Sequence, residues 1–356
     1  MNVLEYMENY GHEQFSVYTD PDVGLRAFIA IHDTTLGPAL GGVRVWPYAT
    51  EDEAVMDALR LGRAMTYKSA AAGLPFGGGK AVIMANPRQD KTEALMRSFG
   101  RFVNTLGGRY LTTGDVGTSS VDLEWIAQET EYVTGLPLSR GGSGDTSQMT
   151  GYGIFQGMKA CSKEVWGSDS LEGRKIALQG LGHVAEALIR YLLEEKVRLV
   201  ATDINEDALE RAGKQAGNIE IVAPHEIYDI ECDIFSPCAL GGVLNNDTIP
   251  RLKCKVVCGG ANNQLLAEED GDALKSRGIL YAPDYIVNAG GVINISFEVG
   301  SSYSEAAAME KTARIYNTMQ QTISTANSQK ITTVQAANHL AENRIEQARR
   351  IRKIYL

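Results

Sequence analysis

The alternation of apolar and polar positions changes period several times along the chain. Residues 14–18 and 25–31 are short apolar and aromatic runs that predict strands, and residues 32–42 form a turn-rich passage ending in a glycine pair. Thr50 and Glu53 make a capping box ahead of Ala54, Val55, Ala58, Leu59, Gly62 and Met65, which recur at helical spacing. This predicted helix delivers Lys68 at its C-terminal end, where carbonyl dipoles favour a cation. Gly73, Pro75 and Gly77–Gly79 then predict a glycine-rich turn, from which Lys80 opens a strand over 81–84. A helix over 92–106, a strand over 109–113 and a helix over about 121–131 follow. Residues 139–151 are the least hydrophobic stretch and predict a hinge.

Beyond the hinge the texture becomes regular. An apolar strand over 175–179 runs into Gly180-Leu-Gly182-His183-Val184-Ala185, a helix to about residue 195, a strand over 197–202, and Asp203. Further strands are expected at 219–222, 233–239, 254–260 and 279–286, the rhythm of a parallel sheet with helices on both faces. Thr332 and Gln335 cap a last amphipathic helix through Val334, Leu340, Ile345 and Ile351. Its end, Arg349, Arg350, Arg352 and Lys353, complements the helix dipole and reads as a solvated terminus.

Composition narrows the class. With 356 residues the chain is long enough for two domains. A hydrophobic share of 44% and a charged share of 22% are those of a soluble globular protein. The net charge of -10 argues against nucleic acid or an anionic membrane as the main partner, since both need a basic face. The N-terminus carries acids without an apolar run, and no stretch reaches the length of a membrane span. The five cysteines lack any C-x-x-C pair and predict reduced, buried thiols in a cytoplasmic protein.

Two stretches carry chemistry. G-x-G-x-x-A between a strand and a helix, with an acid about 20 residues on, is a dinucleotide-binding fingerprint in its proper context. Gly180 permits the tight turn, Gly182 the approach of a pyrophosphate, and the helix N-terminus supplies amide hydrogens. Asp203 suits ribose hydroxyls and repels a 2′-phosphate, which favours NAD over NADP. Met65–Lys80 places Lys68 and Lys80 on either side of a glycine-rich, alanine-rich bend, an unusual place for two cations. Asp115 lies between glycines after a strand, where it can reach a cleft or simply cap a turn. A hydride acceptor, an anion-binding Lys68, a Lys80 whose pKa is lowered by burial and the neighbouring cation, and Asp115 as proton relay suit oxidative deamination of an α-amino acid. Gly77-Gly-Gly-Lys80 departs from a P-loop: the required spacing is absent, and Ala81 stands where a metal-binding hydroxyl is needed. The histidines show no metal-ligand spacing, and no metal is expected.

Leu40-Gly41-Gly42-Val-Arg44, Met65-Thr-Tyr-Lys68, Gly77-Gly-Gly-Lys80, Gly114-Asp-Val-Gly117, Gly180-Leu-Gly182, Ala261-Asn262-Asn-Gln264 and the run from Pro283 to Asn294 together resemble the glutamate, leucine, phenylalanine and valine dehydrogenase superfamily, over nearly the whole chain. The resemblance implies an α/β protein of two domains. These are an N-terminal substrate and oligomerisation domain over 1–140 and a Rossmann-type, doubly wound NAD-binding domain over 141–330, with a C-terminal helix over 331–356 returning to the first. It implies reversible NAD-linked deamination to a 2-oxo acid and ammonia, in a homo-oligomer between dimer and octamer. It also implies Lys80, Asp115 and Lys68 as catalytic residues, and Leu40, Gly41, Gly42, Met65, Lys68, Thr113, Thr134, Asn262, Val292 and Ile295 around the amino acid. Around the cofactor it implies Thr150, Gly180, Gly182, His183, Val184, Asp203, Ile204, Cys238, Ala239, Leu240, Ala261, Asn262 and Asn288.

Specificity follows from Leu40. Glutamate-specific members carry lysine there, and an apolar wall leaves a second carboxylate unpaired. Leucine, valine and isoleucine are the favoured substrates, with phenylalanine or tryptophan as alternatives. Three departures from the family pattern bear on this. Thr146 and Gln148 replace the usual hinge prolines, Gly114 stands where many leucine-branch members have glutamate, and Thr113 where they have alanine. The rival readings are a catalytically silent dinucleotide-binding protein and a pyridoxal phosphate enzyme with Lys80 as Schiff base.

Overall fold

The computed structural model describes residues 2–300 and 302–352. The chain divides into two compact units. One holds the chain up to Asp145 with Ile295–Glu305 and the stretch from Ala341; the other holds Thr146–Asn294 with Ala306–Leu340.

The first unit begins with α1 (Val3–Tyr10), β1 (Gln14–Asp20), β2 (Leu25–Asp33) and β3 (Ala39–Trp46). It continues with α2 (Glu51–Ala71), β4 (Gly77–Met84), α3 (Glu93–Thr105), β5 (Tyr110–Gly114) and α4 (Ser120–Ile126). Its five-stranded sheet has the order β1-β2-β4-β3-β5. The β1/β2 and β2/β4 pairs are antiparallel, and β4/β3 and β3/β5 are parallel. Both faces are covered, so β2 is apolar without a break from Ala27 to Ile31. Ala27, Ile29 and Ile31 face Leu95, Phe99 and Val103 of α3, while Phe28 and Ala30 face Ala54, Ala58 and Leu59 of α2.

The second unit contains α5 (Ser147–Trp166), β6 (Lys175–Gln179), α6 (His183–Glu194), β7 (Arg198–Thr202), α7 (Glu206–Ala216), β8 (Ile219–Ile221), β9 (Ile234–Pro237) and β10 (Val256–Val257). Then come α8 (Asp270–Ser276), β11 (Leu280–Tyr281), α9 (Asp284–Val287), α10 (Gly290–Ser296), whose last two residues belong to the first unit, α11 (Glu305–Ala313), whose first residue does, and α12 (Ile315–Gln329). All neighbouring strands pair parallel in the order β11-β10-β9-β6-β7-β8. This is the doubly wound arrangement, with the strand order reversing between β6 and β9. The last helix, α13 (Thr333–Arg352), is capped reciprocally by Thr332 and Gln335, as expected.

Several elements differ from the sequence reading. The three glycines are not a turn: Gly77–Gly79 lie inside β4, a central strand, and Lys80 is in its middle. Glycine is required there because α2 packs on the strand backbone; a methyl at Gly78 would meet the Thr66 amide nitrogen at 2.0 Å. The second glycine pair, Gly41 and Gly42, likewise belongs to β3 rather than to a turn. The Thr50 hydroxyl accepts from the Glu53 amide as predicted, but the Glu53 carboxylate reaches back to Ala49. The helix expected to about residue 131 stops at Ile126, and α5 begins at Ser147, inside the stretch read as a hinge. At the C-terminus Arg349, although half-exposed, is also an anion site: it pairs with buried Asp33 at 2.5 Å. Arg350 pairs with Glu346 within its own helix. The Arg352 side chain and Lys353 lie outside the described residues.

Candidate active site

Three neighbouring strands bring the charged residues of the first unit together. β3 runs between β4 and β5, pairing Leu40 with Gly78 on one side and Gly42 with Thr113 on the other. Lys80 on β4 reaches past β3 to Asp115, which directly follows β5, and its Nζ stands 2.5 Å from Asp115 Oδ2. Gly42 leaves this path open. A methyl there would lie 2.9 Å from Asp115 Cβ and 2.5 Å from the Gly114 carbonyl oxygen. The Thr118 hydroxyl fixes the Asp115 backbone, 2.7 Å from its amide and 2.6 Å from its carbonyl.

Lys80 is 5% exposed, so its ammonium has little water to turn to and Asp115 is its built-in partner. Burial alone would raise the Asp115 carboxyl, but the Lys80 ammonium and the Arg44 guanidinium outweigh it and hold the carboxyl down at about 2. Arg44 Nε donates to the same Oδ2 at 3.0 Å, and Arg44 Nη1 to Asp57 Oδ2 at 2.7 Å. The Tyr48 hydroxyl donates to that Asp57 oxygen at 2.5 Å. Sequence reasoning missed this extension. Its signal was an arginine inside a largely buried strand and an aspartate, Asp57, set among the apolar positions of α2 that face the sheet.

The other residues expected around the amino acid fall on known backbone. Leu40 is fully buried on β3, and Thr113 and Thr134 are buried, the Thr134 amide donating to the Thr112 carbonyl at 2.9 Å. Met65 and Lys68 are half-buried on the last two turns of α2. Ile295, on the returning segment, is buried. Glu298 nearby accepts from the amides of Gly135 and Ser143, a tie that nothing in the sequence marked. Asn262 and Val292 belong to the second unit, exposed and buried respectively.

In the second unit the fingerprint has the geometry a dinucleotide needs. Gly180 has φ +96°, in the region open to glycine, and a methyl there would stand 2.7 Å from Ala239 Cβ across the switch point. Gly182 caps α6 with open space around it, and the first turn of that helix, from His183 and Val184, presents its amides. Asp203 accepts from the Leu181 amide at 2.6 Å and the Asn205 amide at 2.8 Å, so it braces the glycine loop as well as ending β7. Cys238 Sγ accepts from the Gly260 amide at 3.4 Å. Asn288 donates to Asn262 Oδ1 at 2.9 Å, and its own buried Oδ1 has no hydrogen-bond partner among the described residues. Ala239 is exposed, as are Ile204 and Leu240 at 91% and 77%, and Ala261 is buried. Thr150 on α5 turns its hydroxyl to the Thr146 carbonyl. A glycine turn at positive φ, an open helix N-terminus, a braced acid and an unpaired buried carbonyl fit NAD. All five cysteines are free thiols, and no cluster of metal-ligating residues occurs among the described residues.

Residues 12–132 match the sequence model of the Glu/Leu/Phe/Val dehydrogenase dimerisation domain, and residues 141–206 and 202–352 that of the Glutamate/Leucine/Phenylalanine/Valine dehydrogenase. The chain belongs to this family. It is an oxidoreductase acting on amino acids, and its cofactor is NAD. The chain is 52% identical over 356 residues to the leucine dehydrogenase of Thermoactinomyces intermedius, covering 100% of this chain and 97% of that one. It is 44% identical over 359 residues to the phenylalanine dehydrogenase of Caldalkalibacillus thermarum, at 100% and 97% coverage. The solved L-tryptophan dehydrogenase from Nostoc punctiforme superposes with a TM-score of 0.84 at 44% identity, over 98% of this chain and 99% of that one.

Proposed function

We propose that this family member catalyses the reversible, NAD-dependent oxidative deamination of an apolar L-amino acid to the 2-oxo acid and ammonia, with leucine, valine and isoleucine preferred. The observation that carries the reading is the buried Lys80–Asp115 pair at 2.5 Å. An ammonium and a carboxylate in hydrogen-bond contact can pass a proton between them and on to a third group.

NAD, which the Gly180–Gly182 loop and Asp203 would hold, would supply the acceptor for the hydride of the substrate α-carbon. Lys68 holds the substrate carboxylate by charge. Lys80, in its neutral form, takes a proton from the water that adds to the iminium carbon. Asp115 relays that proton to the departing nitrogen, and the Lys80–Asp115 pair takes up the hydroxyl proton as the carbonyl forms and ammonia leaves. The Asp115 carboxyl, held at about 2, starts as the carboxylate this exchange needs. Leu40, fully buried and apolar, gives a substrate side-chain carboxylate no partner and so disfavours glutamate.

The family model matched by the first unit is a dimerisation domain, which supports a homo-oligomer. Five free thiols fit a reducing cytoplasm. No helix among the described residues is long and apolar enough to cross a membrane.

The test is NADH appearance with leucine, valine, isoleucine, phenylalanine, tryptophan and glutamate, each with NAD and NADP. The highest kcat/KM is expected for the branched-chain substrates with NAD. Phenylalanine or tryptophan leading the panel would replace the substrate assignment, and no NAD reduction with any of them would refute the reading.

A further inference from the structure

Arg44 stands outside every role given so far, yet its side chain is built into the centre. Its guanidinium bridges two carboxylates, Asp115 from the end of β5 at 3.0 Å and Asp57 from α2 at 2.7 Å. It meets Asp115 on Oδ2, the oxygen that Lys80 also holds. Two cations therefore share one acceptor, and whatever draws Arg44 away leaves Lys80 a stronger hold on it. What draws Arg44 away is Asp57, itself fixed by Tyr48 at 2.5 Å and by Arg60 at 3.4 Å.

We infer that Arg44 is a positioning residue that sets the proton affinity of the Lys80–Asp115 pair, with Asp57 and Tyr48 as its counterweight. The inference rests on the dehydrogenase reading of the site. The titratable and charged groups that face Asp115 are Lys80 from β4, Arg44 from β3 and the Tyr110 phenol from β5; those that face Arg44 are Asp115, Asp57 and Tyr48. The positive charge of Arg44 held against Asp115 lowers the proton affinity of that carboxyl. Because the two residues share a proton, the pH profile reports a property of the pair.

The test is the pH dependence of kcat/KM for leucine in the full-length enzyme. In Arg44→Gln the ascending limb is expected to move to higher pH by about one unit, with activity below the limb down about tenfold and recovering at alkaline pH. Arg44→Lys keeps the charge and is expected to restore the limb toward its original position. Asp57→Asn removes the counterweight and frees Arg44 for Asp115, so its limb is expected to move the opposite way. A merely structural arginine would lower kcat at every pH and leave the limb in place. If Arg44→Gln fails to fold, the direction of the Asp57→Asn shift decides. Unmoved limbs in the folded variants overturn the inference. Absence of NAD reduction by the wild-type enzyme would instead overturn the dehydrogenase reading.

Discussion

Lys80 and Asp115 make a 2.5 Å ion pair although their strands are not hydrogen-bonded neighbours, because β3 lies between them and carries Gly42 at the crossing point. The contact depends on two charges and on the absence of a side chain.

The charges should separate kinetically. Lys80→Ala removes the proton-accepting group and is expected to lower kcat by roughly 10²- to 10⁴-fold, the range of general acid–base catalysis. Asp115→Asn should show a loss of similar order. Lys68→Ala should act mainly on KM, since it removes a contact made to the substrate carboxylate before and during reaction. Steady-state kinetics with leucine checks all three. Normal kcat in Lys80→Ala would refute the assignment.

The glycines should separate structure from function. At Gly78 a methyl would meet the Thr66 main chain at 2.0 Å, so Gly78→Ala must push α2 off the sheet. A cost of about 3 kcal/mol or more is expected, at the upper end of overpacking. At Gly42 a methyl presses on Asp115 Cβ at 2.9 Å and the Gly114 carbonyl at 2.5 Å, both at the end of an edge strand that can shift more easily. Gly42→Ala is expected to lose kcat more than it loses stability. Thermal unfolding beside kinetics for the two variants is the measurement, and equal effects on both quantities would contradict it.

These glycines also show where the sequence was hard to read. In the second unit most local signals agree with the fold: the glycine loop joins β6 to α6 and Asp203 follows β7, but the strands expected at 254–260 and 279–286 shrink to Val256–Val257 and Leu280–Tyr281, the latter followed by α9. A parallel sheet covered on both faces produces unbroken apolar runs. In the first unit Gly41, Gly42 and Gly77–Gly79 look like turns by composition but are strand interior, because a helix and a neighbouring strand approach the backbone too closely for side chains. Intrinsic preference points one way and packing the other, and packing wins. The lysines and Asp115 could be picked out as chemistry, while Arg44 and Asp57 could not. Their meaning is a contact between residues 13 apart on different elements. Arg349 was misread for the same reason: its partner Asp33 is 316 residues away.

Acid should weaken the first unit through His32. His32 is buried, with Nε2 donating to the Tyr10 carbonyl at 2.9 Å and Nδ1 accepting from the Thr66 hydroxyl at 2.8 Å. His12 stands edge-on to it at 4.8 Å. Burial, then the His12 ring, pushes the His32 imidazole down from 6.5 to about 4, so the folded protein keeps it neutral while the unfolded chain protonates it near 6.5. Above pH 6.5 both states are neutral and this histidine adds no pH dependence. As the pH falls toward 4 the unfolded state gains a proton that the native state refuses, and stability drops by roughly 3 kcal/mol from this group. Thr66 is the residue packed on Gly78, so the strain falls where α2 meets β4. Urea midpoints between pH 7 and 4 are expected to decline in the wild type. His32→Gln, less stable at pH 7 but with nothing to titrate there, should give a flatter curve, and a variant that keeps the wild-type slope would place the acid sensitivity elsewhere.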